Sequence, residues 1–535
     1  MILSRIVKSI VFLAVYGYLS VFVFALQVKD GLNESDAKSK FNIIDFGAVA
    51  DGETLNTIAI QSAIDSAYNS GGGIVIIPHG IFLSGSIHLK NNVELRLEKD
   101  AVLLGSTRRT DYEMKDYTAF VIARDAENVT ITGEGTIDGQ GRELVKDIYR
   151  MLDEGLLKDP YYPERSNRPS ELNRPELVQF VKCINIFVSG VLMKDAACWV
   201  NTYNDCENVL IDRLRINSTA FWNNDGIDLT DCRRVKVTNC DINSADDGIC
   251  LKSSNKDLYC DSIYIADCKI RSSASALKFG TASAGGFKNI KAERLYVYDT
   301  FRSAIALESV DGGVLENVFI SDVVAKNTGN AIFLRIGSRN RDNNLYAVSS
   351  MKNIIIKNVK VEVPIGKPDK GYETEGPVEK ELQNLVPSSI VGLPGQIIEN
   401  ITLENIEIIF DGGGKKEVAF IPLDSLDKVP ERPKNYPEFS MFGELPAWGF
   451  YVRHADGIKM KNITLKLVEK DFRPAFVFDD SKNISLNGIT LTQLTGQKTI
   501  VLNDTNVAEI RAIQCDVEIH NPVIIQGNSS AITIK

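Results

Sequence analysis

The chain has 535 residues, with 60 Lys and Arg against 70 Asp and Glu and a net charge of −10. That balance argues against nucleic acid as a partner, because binding to phosphates draws on clustered positive charge. The four histidines, His79, His88, His454 and His520, form no tight His/Cys/Asp group at metal-ligand spacing, so neither a zinc hydrolase nor any bound cofactor is expected.

A basic start, Met1 to Lys8, precedes an apolar run from about Ser9 to Ala25 that ends Val23-Phe24-Ala25. This pattern reads as a signal peptide over residues 1–25 and implies export to the periplasm or the extracellular space. The alternative is a membrane anchor, but about 17 apolar residues sit at the short edge of the spanning range. No stable membrane insertion is expected once the signal is removed. The remaining chain of about 510 residues exceeds what one compact core normally supports, so it must be several domains or a repeat whose core grows along an axis.

Next in order, Thr57 to Tyr68 places apolar residues at helical spacing and is soon followed by Gly71-Gly72-Gly73, which predicts a helix capping the N-terminal end of whatever follows. Beyond it one phrase recurs: Glu-Asn-Val-Thr-Ile at 127–131, Ile-Asn-Ile-Phe-Val at 184–188, Glu-Asn-Val-Leu-Ile at 207–211, Arg-Arg-Val-Lys-Val at 233–237 and Asp-Ser-Ile-Tyr-Ile at 261–265. It continues at 288–292, 316–320, 352–356, 399–403, 482–486 and 508–512. The central Val or Ile falls at 186, 209, 235, 263, 290 and 318, a period of roughly 26 residues. Apolar and polar residues alternate inside most phrases, the period of a half-buried strand. One short strand cannot bury its apolar side alone, but stacked coils lay equivalent strands in parallel. The expected fold is all-β: a single-stranded right-handed parallel β-helix from about Phe41 to Lys535 with an N-terminal helical cap and no second globular domain.

The Asn that precedes many of the central residues is a turn-former that can stack in a ladder, a structural role. Cys183, Cys206, Cys232 and Cys260 each stand three residues before the central residue of their phrase, so they fall in register on successive coils. Nine cysteines at this spacing read as buried thiols rather than disulfides. Two stretches, Gly141 to Glu176 and Ile365 to Gly395, interrupt the coils, and long insertions in solenoids tend to build the binding face.

The densest acidic constellation is Asn223-Asn-Asp-Gly-Ile-Asp228 followed by Ala245-Asp-Asp-Gly-Ile-Cys250. Asp225 precedes Asp246 and Asp247 by close to one coil, which stacks three carboxylates on adjacent strands about 5 Å apart. Their repulsion should raise at least one pKa and place an acid beside a base, the pair that glycosidic cleavage needs. A solvated acidic turn and a calcium site remain alternatives.

The segment Phe41 to Gly52 resembles the opening of the pectate-lyase-like β-helix superfamily. Asn223-Asn224-Asp225-Gly-Ile-Asp, then Asp246-Asp247, resembles the polygalacturonase signature of glycoside hydrolase family 28, with Arg174-Pro175 and Cys198-Trp199 also fitting. The resemblance implies that Asp246 is the general acid, that Asp225 and Asp247 hold and activate a water, and that the anomeric centre inverts. Asn223, Trp222 and Asp228 then fall among the substrate-binding residues.

Two family elements are missing. The Gly-His-Gly of the next coil aligns with Ala274-Ser275-Ala276, and the Arg-Ile-Lys that grips a galacturonate carboxylate aligns with Ala306-Leu307-Glu308. Glu308 reverses a charge where a uronate needs a cation, so unbranched galacturonan is expected to be a poor substrate. Lys252, Lys278 and Arg335 are the alternative cations, each otherwise a solvated surface charge. Trp199 and Trp222 either stack on sugar rings or fill a coil corner. The expected activity is inverting hydrolysis of a pectin-related or other plant or algal glycan, exo-acting if the 141–176 stretch closes one end of the groove. A lyase or epimerase on the same scaffold, or a noncatalytic glycan-binding β-helix, are the rival readings.

Overall fold

The computed structural model describes residues 39–163, 167–339, 348–372, 384–418, 420–492, 499–516 and 522–535. The signal-peptide reading and His520 therefore lie outside the described residues. The described chain falls into two compact units. Met1–Cys250, Cys260–Lys269 and Tyr372–Glu375 form the first, and Leu251–Tyr259, Ile270–Gly371 and Gly376–Lys535 the second. No helix among the described residues is long and apolar enough to cross a membrane.

The first unit opens with helix α1, Thr57–Asn69, which buries Ile60, Ala63, Ile64 and Ala67 along one stripe against the strands Lys40–Asn42 and Gly73–Ile77. Parallel coils follow. The repeated phrase pairs as its period requires: Val129 with Ile186, Ile186 with Val209, Val209 with Val235, and Val235 with Ile263, all fully buried or nearly so. Each β-branched residue sits directly above its equivalent, so truncation of one, Ile186→Ala for instance, opens a cavity in a close-packed column and costs about 2–5 kcal/mol.

The asparagines before these residues occupy the left-handed region, with φ of 57° at Asn128, 61° at Asn185 and 56° at Asn208. Asn tolerates that conformation better than most side chains. Each amide then donates to the one below it: Asn128 to Asn92 at 2.8 Å, Asn185 to Asn128 at 3.0 Å and Asn208 to Asn185 at 3.0 Å. None of the nine cysteines is in a disulfide, and eight are buried. Cys183, Cys206 and Cys232 point their thiols at backbone carbonyls of the preceding coil, 3.3–3.5 Å away.

The second unit repeats the plan. Ile290, Val318, Ile354, Ile401 and Ile458 pair successively in parallel register. The coil centred on Ile458 lacks the recurring phrase because Gly457, at φ 76°, takes the place of the left-handed Asn. The last phrase is corrected by two residues: Ile484 pairs with Ala508, not Ile510, because Val507 occupies the left-handed position at φ 59°.

Both insertions differ from simple loops. The first begins with helix α2, Gly141–Asp153, which buries Leu144, Val145, Ile148 and Met151 and is laced on its outer face by Arg150 with Asp147 and Glu154. The stretch from Ile365 to Gly395 contains the strand Ser388–Val391, which pairs with Phe333–Arg335 and with Phe450–Arg453 and so belongs to a coil. The longer cover in this unit is 413–449, which the sequence did not single out. Its Leu426, Val429, Phe439, Met441, Phe442 and Leu445 pack on Ala306, Phe333, Val391, Tyr451, Val477 and Val501, side chains of the coils.

Candidate active site

In the first unit, two strands, Arg215–Ser218 and Asp241–Ser244, each end in a serine that turns the chain toward an aspartate-glycine step. The Ser218 hydroxyl accepts the Ala196 N–H at 2.9 Å and donates to Asn224 Oδ1 at 2.8 Å. The Asn224 amide donates to the carbonyls of Ala196 and Cys198 at 3.0 and 2.8 Å. Fully buried, it fixes the backbone one residue before Asp225. One coil on, the Ser244 hydroxyl donates to the carbonyls of Asp246 and Asp247 at 3.0 and 3.2 Å.

The two Asp-Gly steps then stack in the ladder: Gly226 N–H to Asp247 O at 2.9 Å and Ile227 N–H to Gly248 O at 3.0 Å. A Cβ at Gly226 would stand 2.6 Å from the Gly248 carbonyl, so only glycine allows this approach. Stacking brings an oxygen of Asp225, an oxygen of Asp247 and the Cys250 sulfur within 4.8 Å of one another. Asp225 and Asp247 are only 4% and 3% exposed, whereas Asp246 is half-buried and turns Oδ1 back to accept the Asp247 N–H at 2.9 Å. Two buried carboxylates and one more accessible carboxyl thus lie on adjacent coils. Two carboxylates and a thiol are a poor match to calcium, which takes six to eight oxygens.

Arg174 is what the sequence reading underused. Its fully buried guanidinium donates to the carbonyls of Trp222 (2.7 Å) and Ala197 (3.0 Å) and to Asn223 Oδ1 (2.7 Å), and lies over the Phe221 ring. It pins the 219–225 segment from the end of the first insertion, while Tyr149 of α2 packs edge-on against Phe221. Trp222 is half-buried, perpendicular to Phe221, with the Arg168 guanidinium 5.2 Å from its ring centre. Asp228, buried, pairs in register with Thr202, whose hydroxyl donates to the Glu176 carboxylate.

Lys252, Ser275, Lys278, Glu308 and Arg335 belong to the second unit. Lys252 is partly exposed and Ser275 is buried. Lys278 is almost fully buried and donates to the Tyr436 hydroxyl at 2.9 Å. Glu308, also buried, pairs in register with Arg335. Arg335 is not a solvated surface charge. Its guanidinium is fully buried and donates to the carbonyls of Gly392 (3.0 Å) and Glu431 (2.5 Å), with the Phe442 ring 5.1 Å away. Burial pulls its pKa down to about 10, and its chemistry is spent holding the 413–449 cover.

Stacked parallel coils and a helical cap define a right-handed parallel β-helix. Residues 72–270 match the family model described as glycosyl hydrolases family 28, which bears out the resemblance read from the sequence. A probable polygalacturonase of Vitis vinifera is 28% identical over 55% of this chain and 57% of its own length. An exo-poly-alpha-D-galacturonosidase of Dickeya chrysanthemi is 23% identical over 68% of this chain and 71% of its own. The crystal structure of a hyperthermoactive exopolygalacturonase from Thermotoga maritima superposes with a TM-score of 0.55 at 27% identity, covering 70% of this chain and 87% of that one. The chain thus spans little more than half the length of the Vitis relative.

Proposed function

We propose that the protein hydrolyses O-glycosidic bonds of a pectin-related or other plant or algal glycan with inversion. Asp246 acts as general acid, and Asp225 and Asp247 hold and deprotonate the attacking water. The observation that carries this reading is the approach of Asp225 and Asp247 to within 4.8 Å on adjacent coils, beside an Asp246 that stays reachable from solvent. Two buried carboxylates facing one another can share a water between them, and the more accessible third group can reach a leaving oxygen. The exo-acting names of the Dickeya and Thermotoga relatives support release from a chain end. Export, with residues 1–25 as signal peptide, is the location that an extracellular glycan requires, and residues 41–535 form one β-helix domain.

Incubation with a panel of defined oligosaccharides tests the activity, with Asp246→Asn as the control and the anomer of the first product read by NMR. Release of an inverted reducing sugar by the wild type alone is the expected result. An unsaturated product that depends on added calcium would make the protein a lyase instead.

A further inference from the structure

In the second unit, the 413–449 cover supplies partners to two buried cations that the proposed chemistry leaves unused. Lys278, 2% exposed, donates from Nζ to the Tyr436 hydroxyl at 2.9 Å. Arg302, 7% exposed, faces Glu438 through Nε at 3.3 Å. The Tyr436 ring serves both cations: its centre stands 5.2 Å from the Lys278 Nζ and 5.5 Å from the Arg302 guanidinium.

Tyr436 itself is 47% exposed and ends a run of exposed residues, 432–436. The run is fixed on both sides. The Ser338 N–H donates to the Pro433 carbonyl at 2.7 Å, and beyond Tyr436 the buried Phe439 ring stands edge-on to Phe301. Rotation about its own side-chain bonds therefore carries the tyrosine ring out to water while the backbone stays where it is.

The chemistry of the two cations decides what takes its place. Buried charged groups must keep hydrogen-bond partners, and the phenol hydroxyl is a neutral acceptor. A carboxylate or sulfate oxygen in the same position makes charge-assisted bonds, roughly twice as strong. Net charge does not decide this, since Glu438 already faces Arg302; the exchange of a neutral acceptor for a charged one does.

We propose that Lys278 and Arg302 form a recognition site for an oxyanion group of a glycan, a carboxylate or a sulfate ester, and that Tyr436 is a gate that masks it. The proposal rests on the glycosidase reading above for the glycan as ligand, and adds to it an internal competitor. An uncharged chain leaves the gate closed, whereas an anionic one must displace the tyrosine and loses affinity in the wild type by that competition.

The test titrates the full chain, by calorimetry, with the methyl glycosides of galactose, galacturonic acid and galactose 6-sulfate. Tyr436→Ala should bind at least one of the two anionic glycosides about tenfold or more tighter than the wild type does, with the neutral glycoside unchanged. Which of the two gains identifies the oxyanion. Tyr436→Phe, which keeps the packed ring and removes the acceptor, should gain less in the same direction. In the Tyr436→Ala background, Lys278→Met, which fills the volume of the stem without its charge, should erase the gain, and Arg302→Gln should reduce it several-fold. Equal gains for neutral and anionic glycosides, unchanged anion affinity in both Tyr436 variants, or a gain that survives both cation variants would overturn the gate. A protein that gains anion affinity in this way yet cleaves no glycan would sink the hydrolase reading and leave the gate standing, and hydrolysis with anion affinity indifferent to Tyr436 would do the reverse.

Discussion

The guanidinium of Arg174 donates to the side-chain oxygen of Asn223 at 2.7 Å, two residues before Asp225, and makes two further bonds to the backbone carbonyls of Ala197 and Trp222. Replacing it leaves the buried Ala197 carbonyl without that donor, at about 1–3 kcal/mol, and costs less at the half-buried Trp222 and Asn223. Arg174→Lys keeps the charge but loses the fork that spans three acceptors. The expected outcome is a folded variant with a lowered melting temperature and a kcat reduced more than KM is raised, because the carboxylates drift while the remainder of the groove persists. Wild-type kcat in Arg174→Lys would show that the 219–225 segment holds its shape without the clamp.

The roles of the carboxylates separate by leaving group. Loss of a general acid or base typically costs about 10²–10⁴-fold, so Asp246→Asn should nearly abolish turnover of a natural oligosaccharide while binding survives. An activated aryl glycoside needs little protonation of its leaving group and should be hurt less by Asp246→Asn than by Asp247→Asn. Equal losses on both substrates would remove the acid assignment from Asp246.

Substrate choice follows from the missing cations. Ala306 lies under the 413–449 cover, Glu308 is a buried carboxyl at the position that the family resemblance assigns to a cation, and Arg335 is spent on carbonyls. Unbranched polygalacturonate is therefore expected to be turned over at least about tenfold less efficiently, in kcat/KM, than the best glycan carrying neutral sugars. Comparable efficiency on both would mean that Lys252 or Lys278 supplies the cation after all.

The coil plan was legible because it is periodic: each Val or Ile meets its own equivalent, so alignment of the sequence with itself predicts the pairing. Where a periodic position changes residue, as at Gly457 and Val507, the backbone keeps its left-handed turn but the phrase disappears, and the reading skipped one coil and slipped another by two residues. The carboxylate cluster was legible for the same reason, since one coil separates Asp225 from Asp246 and Asp247. Arg174 and Arg335 were not. Their partners are carbonyls of Trp222 and Glu431, 48 and 96 residues away, and a backbone carbonyl carries no sequence signal. The 413–449 cover has no period at all, only apolar points whose complement is side chains of other coils.

The second unit carries a histidine whose titration should be visible in stability. His454, buried and in the left-handed region at φ 53°, places Nδ1 2.6 Å from Asp480 and Nε2 2.9 Å from Glu431 of the cover, with Arg453 beside it bonded to Glu431 at 3.0 Å and Asp479 at 3.1 Å. Burial opposes its protonation, but the two carboxylates outweigh burial and hold its pKa above the ordinary 6.5. The stability it contributes is therefore fully present below pH 6.5 and is lost as pH rises through the elevated value. Glu431 runs the other way: burial raises its pKa, but His454, Arg453 and Arg335 pull it below the ordinary 4.5, so its contribution is present above pH 4.5 and is lost on further acidification. Together these groups place the firmest hold on the cover between pH 4.5 and 6.5. The melting temperature should accordingly fall from about pH 6 to about pH 8, and His454→Gln, which keeps a hydrogen-bonding side chain but cannot gain a proton, should start lower and fall less over the same interval. Protection of the 425–435 amides against hydrogen exchange, corrected for the intrinsic base-catalysed rate, should fall in the wild type across that interval and stay level in the variant. Parallel pH profiles for the two proteins would show that some other group, not His454, governs the alkaline loss.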